Sequence, residues 1–226
     1  MNMGNTITQS SLTKKFVMAF AGLFLISFLF VHMGINLLVL LPSTDTFNIA
    51  AHFMGSNIVI KIFEVVLFGG FIIHMIYGVI LQVQNWMARP QRYKIEGWSH
   101  TSPFSKFMIH TAVIIGIFLV YHLMDFYVEA KFLGEIEDVL INGISYHDMG
   151  AKVIAEFKLP AVVILYIISF LILGFHLHHG FQSGFQSLGL NHSKYTPIIK
   201  NLSLAVSVIL TVGFTIIPLV IYFGNY

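Results

Sequence analysis

The sequence predicts an all-α integral membrane protein, a bundle of five transmembrane helices. Of its 226 residues, 57% are hydrophobic and only 10% are charged, and the mean hydropathy is +0.83, values typical of chains that lie in a bilayer. Apolar segments of at least about 20 residues, the length that crosses a hydrocarbon layer of about 30 Å, recur along the chain. We therefore predict one membrane domain over residues 1–226, with helices at 16–41, 58–85, 107–128, 159–183 and 199–223.

The first predicted helix follows Lys14 and Lys15 and resembles the start of a secretory signal peptide. Its apolar stretch is too long for such a peptide, and the sequence INLLVLLPSTD after it offers no cleavage site with small residues. We expect this helix to remain as a membrane anchor.

The basic residues of the short loops predict the orientation. One side of the membrane collects eight of the twelve: Lys14, Lys15, Arg89, Arg92, Lys94, Lys106, Lys194 and Lys200. This side is predicted to be cytoplasmic, which places the N-terminus inside and the C-terminus outside. Residues 129–158 then form an outer loop, in which a short amphipathic piece lies at the membrane surface.

The chain contains no cysteine, which excludes disulfides, thioether attachment of haem and iron–sulfur ligation within it. Any metal must therefore be held by histidine or oxygen. The formal net charge of +2 is too small to indicate a nucleic-acid partner.

Four histidines lie deep within four different predicted helices. His32, His74, His122 and His176 each follow the start of their helix by about 16 residues, which is about 24 Å of rise. Because successive helices run in opposite directions, His32 and His122 are expected near the outer face, and His74 and His176 near the inner face. The four side chains thus form two pairs by depth.

Two imidazoles from different helices at one level are what a bis-histidine haem requires. We predict two haems b, an outer one held by His32 and His122 and an inner one held by His74 and His176. Gly78 and Gly180 follow the inner histidines by four residues and leave room for a flat macrocycle. From depth alone, His178 and His179 remain rivals of His176, and a single buried histidine can also serve only as a hydrogen-bonding group between helices.

The chain resembles the five-helix, dihaem cytochrome b subunit of bacterial succinate:quinone oxidoreductases. The resemblance rests on the stretches SLTKKFVMAFAGLFLISFLFVH, FNIAAHFMG, IIHMIYGVIL, LVYHLMDF and FHLHHGFQSGFQSLGL. It extends over all five predicted helices, and the combination is specific although each stretch alone is weak. The connection between the third and fourth helices is longer than the resemblance predicts.

The resemblance implies a fold, a set of ligands and a function. His32, His74, His122 and His176 match the four haem ligands of the family, which favours His176 over His179. The subunit would anchor a flavoprotein and an iron–sulfur subunit at the bacterial cytoplasmic membrane and pass electrons from succinate oxidation to a quinone, usually menaquinone. The chain itself would not oxidise succinate.

A quinone head group needs hydrogen-bond donors and a supply of protons. Near the outer face, the candidates are Asn36, His52, Glu64 and Asp125. The two carboxylates are the more informative, because a charge near the end of an apolar helix is costly unless it is paired or solvated. Alternatively, Glu64 forms an interfacial ion pair with Lys61, and Asp125 lies at a solvated helix end.

Three other functions are compatible with parts of the pattern. The same kind of complex can run in reverse as a quinol:fumarate reductase, and a dihaem cytochrome b can serve another dehydrogenase. A haem-free, proton-coupled transporter could use the histidines with Glu64 and Asp125 as a relay. The last alternative predicts no visible absorption.

Overall fold

The computed structural model describes residues 11–87 and 107–226. In chain order, its elements are α1 (Ser11–Leu37), a 3-10 turn (Leu38–Leu40), α2 (Asp45–Ser56), α3 (Ile58–Met87), α4 (Met108–His122), a π-helical segment (Leu123–Leu133), β1 (Asp138–Ile141), β2 (Ile144–His147), α5 (Met149–Phe157), α6 (Pro160–Ser187) and α7 (Thr196–Phe223).

Five of these helices are long and apolar enough to cross a membrane: α1 with its 3-10 turn, α3, α4 with the π-helical segment, α6 and α7. The prediction of a multi-pass helical bundle is therefore confirmed. Of the basic residues used for the orientation, Arg89, Arg92, Lys94 and Lys106 lie outside the described residues.

Local sequence explains where α6 and α7 begin and end. Each has a proline in its first turn, where the missing amide hydrogen costs no helical hydrogen bond. At the other end of α7, Lys158 Nζ donates to the carbonyls of Ile221 and Gly224, at 2.8 and 2.9 Å. A cation at this position satisfies carbonyls that have no helical partner and favours the helix dipole.

The best-packed part of the bundle is the interface between α6 and α7. Helix α7 carries a stripe of small polar residues at every fourth position: Ser203, Ser207, Thr211 and Thr215. The first two are buried. Farther along, a Cβ on Gly174 of α6 would overlap Thr211 Oγ1 of α7. The stripe of small residues therefore packs against α6, as small residues do where two membrane helices approach closely.

Helices α3 and α4 are covered much less. Neither contains a fully buried side chain, and α3 packs mainly on α1 while α4 packs mainly on α6. Few residues join α3 to α4. These two helices are therefore the sides of the bundle that leave space for lipid or for another molecule.

One end of the bundle carries α2, the β-hairpin and α5, and we name it the hairpin end. The sequence predicted a loop over 129–158 with one short surface piece, and it did not predict α2, so the purely helical description needs correction. The hairpin pairs Asp138 with His147 and Ile141 with Ile144. Its two-residue turn, Asn142-Gly143, has positive φ at both residues, as the tight turns of hairpins require.

A buried asparagine ties the elements of the hairpin end together. Asn48 of α2 is 1% exposed; its side chain donates to Asp148 Oδ1 at 2.9 Å and accepts from the amide of Gly150 at 2.8 Å. Asp148 also accepts from the amide of Ala151 and caps α5. One polar side chain thus joins two elements about a hundred residues apart.

The π-helical segment directly follows His122 of α4. It runs for eleven residues and ends at Gly134, which has φ +64° and donates its amide to the carbonyl of Glu129. Because π-helical turns are wider than α-helical turns, this segment turns its side chains to faces that an α-helix would not present. Such turns occur often at functional sites.

Candidate functional site

His32 and His122 face each other near the hairpin end of the bundle, and we name them the hairpin-end pair. Their ring centres are 5.8 Å apart, with the ring planes at 83°. His32 comes from α1 and His122 from the last residue of α4. Aromatic rings surround the pair: Phe28, Phe118, Phe126 and Phe214.

His74 and His176 form a second pair, which we name the mid-bundle pair. Their ring centres are 6.4 Å apart, with the planes at 70°, and they join α3 to α6. The sequence analysis missed Gly22 of α1, which packs against this pair: a Cβ there would lie 3.2 Å from His74 Cε1. A glycine about three turns into an apolar helix has no sequence signal that would relate it to a histidine 52 positions later.

The two pairs lie at different levels. His74 and His176 each follow the hairpin end of their helix by 16 residues, or about 24 Å. His32 precedes the end of α1 by only five residues, or about 8 Å. The structure therefore joins the same residues that counting along the helices had paired.

The spacing of both pairs fits a metal held between two imidazoles. With metal–nitrogen bonds of about 2 Å, two imidazoles on opposite sides of one metal have ring centres roughly 6 Å apart. Each pair supplies only two ligands, and no group of three or more metal-ligating side chains occurs in residues 11–87 and 107–226. A metal between the rings would therefore take its other ligands from outside these side chains, and a porphyrin is one group that supplies four of them.

The surroundings of the imidazoles are also compatible with a cofactor. All four lie between helices, yet all are only partly buried, so the rings border open space. A Cβ on Gly78 or Gly180 would meet Met18 or Met108 at 3.7 and 3.5 Å, which is ordinary contact. Helix packing therefore does not require these two glycines, in contrast to Gly174.

The Nδ1 atoms of the four imidazoles have different surroundings. His176 Nδ1 lies 3.2 Å from Thr111 Oγ1 and His122 Nδ1 lies 3.1 Å from Tyr166 Oη. His32 Nδ1 lies 3.4 Å from Asn36 Nδ2. His74 Nδ1 is buried and has no hydrogen-bond partner within the described ranges.

The structure separates His176 from its neighbour His178. His178 lies against α7, where its Nδ1 is 3.1 Å from Ser203 Oγ and its Nε2 is 3.2 Å from the amide nitrogen of Gln182. Ser203 Oγ donates to the carbonyl of Lys200, so it accepts from Nδ1, and Gln182 donates to Nε2. Both nitrogens of His178 are thus engaged in helix packing. The ring of His176 faces His74.

The four candidates for a quinone site are held in separate networks. Asn36 donates to the carbonyl of His32, and the ring of His52 packs on Tyr146 of the hairpin at 5.1 Å. Glu64 accepts from Tyr127 Oη at 2.5 Å and from Lys131 Nζ. Glu64 is thus in an ion pair, as the alternative reading of the sequence expected, but its direct partner is Lys131, at 2.5 Å, and Lys61 interacts with it only at longer range.

The fourth candidate, Asp125, belongs to a cluster that sequence reasoning missed. Lys152 of α5 places its Nζ within 3.1 Å of three carboxylates, those of Asp125, Glu129 and Glu156. Burial opposes the charge of Lys152, but hydrogen bonds to the carboxylates raise its pKa above the usual lysine value. Asp125 Oδ2 stays buried and without a hydrogen-bond partner in the described part of the chain. Asp125 thus retains a buried acceptor without a partner.

The hairpin end therefore carries a cluster of net negative charge that begins at Asp125, three residues after His122. Its carboxylates could accept protons, and the aromatic surroundings of the hairpin-end pair would accept a flat apolar molecule. No family model, curated protein or solved structure matches this chain.

Proposed function

We propose that the chain is the dihaem cytochrome b subunit that anchors a bacterial succinate:quinone oxidoreductase in the cytoplasmic membrane. Its partners would be a flavoprotein subunit, which oxidises succinate, and an iron–sulfur subunit that delivers the electrons. The single observation that carries the proposal is the pairing of four histidines from four helices, at two levels and with ring centres 5.8 and 6.4 Å apart. The motifs that resemble the family support the identity of the partners.

Each histidine has a defined task in this proposal. His32 and His122 would hold the haem of the hairpin-end pair, and His74 and His176 the haem of the mid-bundle pair. Each haem, when bound, supplies reversible one-electron transfer. The helices contribute the orientation of the imidazoles, the low dielectric constant of the surroundings and the hydrogen bonds to Nδ1, which are the means by which a protein tunes such a centre.

The quinone would bind beside the hairpin-end pair, and menaquinone is the quinone used in the test below. A reduced quinone takes up two protons, and Asp125 Oδ2 is the buried oxygen near this pair that has no partner. Because Lys152 neutralises only one of three carboxylates, the cluster has spare capacity to hold a proton. On this basis Asp125 is preferred over Glu64, whose oxygens are engaged by Tyr127 and Lys131.

The test of the haem assignment is the haem content of the purified complex, read from the reduced-minus-oxidised visible spectrum. We expect two haems b in the wild type. Alanine at any one of the four paired histidines should remove or perturb one haem, with His32→Ala and His122→Ala affecting one spectral component and His74→Ala and His176→Ala the other. His178→Ala is the matched control, since both of its nitrogens are engaged with α7 and Gln182; it should retain both haems.

A folded wild-type complex without haem would refute the proposal and return the paired histidines to a proton-relay function. Equal loss in His178→Ala and His176→Ala would refute the assignment of ligands. The quinone assignment has a separate test: Asp125→Asn should lower succinate:menaquinone activity while leaving the haem spectrum unchanged, and Glu64→Gln should lower it less. If Glu64→Gln lowers the activity more than Asp125→Asn does, Glu64 is the residue that holds the proton.

A further inference from the structure

Thr111 of α4 lies against the imidazole of His176 and makes two hydrogen bonds. Its Oγ1 is 2.8 Å from the carbonyl oxygen of Met108, one turn earlier in the same helix. The same oxygen is 3.2 Å from His176 Nδ1 on α6. Thr111 is therefore the side chain through which α4 contacts the mid-bundle pair, although α4 carries neither of its histidines.

The first of these bonds determines the direction of the second. A hydroxyl group has one hydrogen, and a carbonyl oxygen can only accept, so Thr111 must donate to Met108. Toward His176, Oγ1 can then act only as an acceptor. His176 must donate from Nδ1, which puts the ring hydrogen on Nδ1 and leaves the lone pair on Nε2 free.

We infer that Thr111 is a positioning residue for the mid-bundle haem: it fixes the tautomer of His176 that can bind iron through Nε2 and increases the electron donation of the ring. This inference rests on the proposed function and assigns to a residue outside the four ligands a defined effect on one haem. An imidazole whose second nitrogen donates a hydrogen bond is the more basic ligand. When a haem is bound, such a ligand would favour the oxidised iron over the reduced iron, so the reduction potential of that haem would be lower than without the bond.

We expect Thr111 to affect only the mid-bundle haem, because its hydroxyl contacts Nδ1 of His176. His74, the other member of the pair, has a buried Nδ1 without a partner in the described ranges, so its ring lacks a hydrogen bond like the one that His176 makes to Thr111. Thr111 also borders a cavity of about 180 Å³ lined by Phe107, Met108 and Phe175. A side chain of the same shape can therefore replace it without overpacking, which makes the hydrogen bond separable from the packing.

The test compares Thr111→Val, Thr111→Ser and a control in the purified complex, by redox titration of both haems and by low-temperature EPR of the oxidised haems. Valine keeps the shape and removes the acceptor. We expect the ratio of reduced to oxidised mid-bundle haem at a fixed potential to rise roughly three- to tenfold, which is about 28 to 59 mV for one electron. The haem of the hairpin-end pair should titrate as in the wild type. Thr111→Ser retains the hydroxyl, so its mid-bundle haem should have the wild-type potential.

The control is Thr215→Val on α7, because Thr215 Oγ1 is buried without a hydrogen-bond partner in the described residues. It should move neither potential. Two intact haems with unchanged potentials in Thr111→Val would overturn the inference while leaving the proposed function in place. Equal shifts in Thr111→Val and Thr111→Ser would also overturn it, since the serine retains the acceptor. A wild-type complex without haem would refute the proposed function, and the inference with it.

Discussion

Replacing Lys152 with methionine tests the cluster that joins α5 to the π-helical segment. Methionine resembles the apolar stem of lysine, is one atom shorter because it lacks the ammonium group, and carries no charge. Three carboxylates that now share one ammonium, at distances of 2.8 to 3.1 Å, would then face one another unneutralised. We expect the hairpin end to lose stability while the membrane-spanning part of the bundle remains folded.

The magnitude follows from the distances and the burial. At an effective dielectric constant of about 20, each contact of about 3 Å contributes roughly 5 kcal/mol of attraction before the cost of desolvation is subtracted. Fully exposed ion pairs contribute at most about 1 kcal/mol, whereas removing one partner of a buried pair costs about 3 to 5 kcal/mol. The Lys152 side chain is 18% exposed, so we expect a loss of about 2 to 4 kcal/mol in the free energy of unfolding, which lies between these limits.

The measurement is the apparent melting temperature of the purified protein in detergent, together with hydrogen exchange of residues 138–157. For a chain of this size, the expected loss corresponds to a decrease of about 5 to 15 °C. Exchange should accelerate in the hairpin and α5 and stay unchanged in α6 and α7. The double variant Lys152→Met, Glu156→Gln removes one surplus charge and should recover part of the loss. A melting temperature within about 2 °C of the wild type would refute the reasoning that the three contacts stabilise this end.

Asn48→Ala should destabilise the hairpin end by about 1 to 3 kcal/mol, because it leaves the amide of Gly150 buried without its acceptor. Hydrogen exchange of the α5 amides measures this loss, and unchanged protection would contradict the prediction. Gly174→Ala should lower the melting temperature, since its Cβ overlaps Thr211 and overpacking costs about 1 to 3 kcal/mol; adding Thr211→Ala should restore it, and no rescue would point to another contact. The stabilising effect of Lys152 should be fully present below about pH 10.4 and disappear as the pH rises through its raised folded-state pKa. The melting temperatures of the wild type and Lys152→Met should therefore converge in strong alkali, and a constant difference would exclude the lysine charge as the cause.

The spans and the histidine pairs could be predicted because both depend on properties that are local in the sequence. The length of an apolar segment determines whether it crosses a bilayer, and a fixed rise per residue converts position into depth. His32 and His122 are ninety positions apart, yet their depths agree because each is counted from its own helix end. The ligand role of the four histidines stays a prediction that the haem spectrum must test.

The features that were missed depend on partners distant in sequence or on small differences in backbone geometry. Lys61 is three residues from Glu64 and is the partner a helical pattern suggests, but Lys131, 67 positions later, makes the bond. The cluster around Lys152 forms because the π-helical segment turns Asp125 and Glu129 toward α5, and composition does not distinguish a π-helix from an α-helix. Helix α2 is short, mixed in polarity and held by Asn48, so no long apolar segment predicts it.

The bond network of Asn48 has a consequence for the order of assembly. Because Asn48 closes on Asp148 and Gly150, the hairpin end cannot close until about a hundred further residues have been synthesised, which takes about 5 to 20 s at ribosomal rates. Helices α3 and α4 are synthesised during that interval, whereas α5, which contains Gly150, follows only at its end. The hairpin end therefore closes only after the helices that contain His32, His74 and His122 have been made.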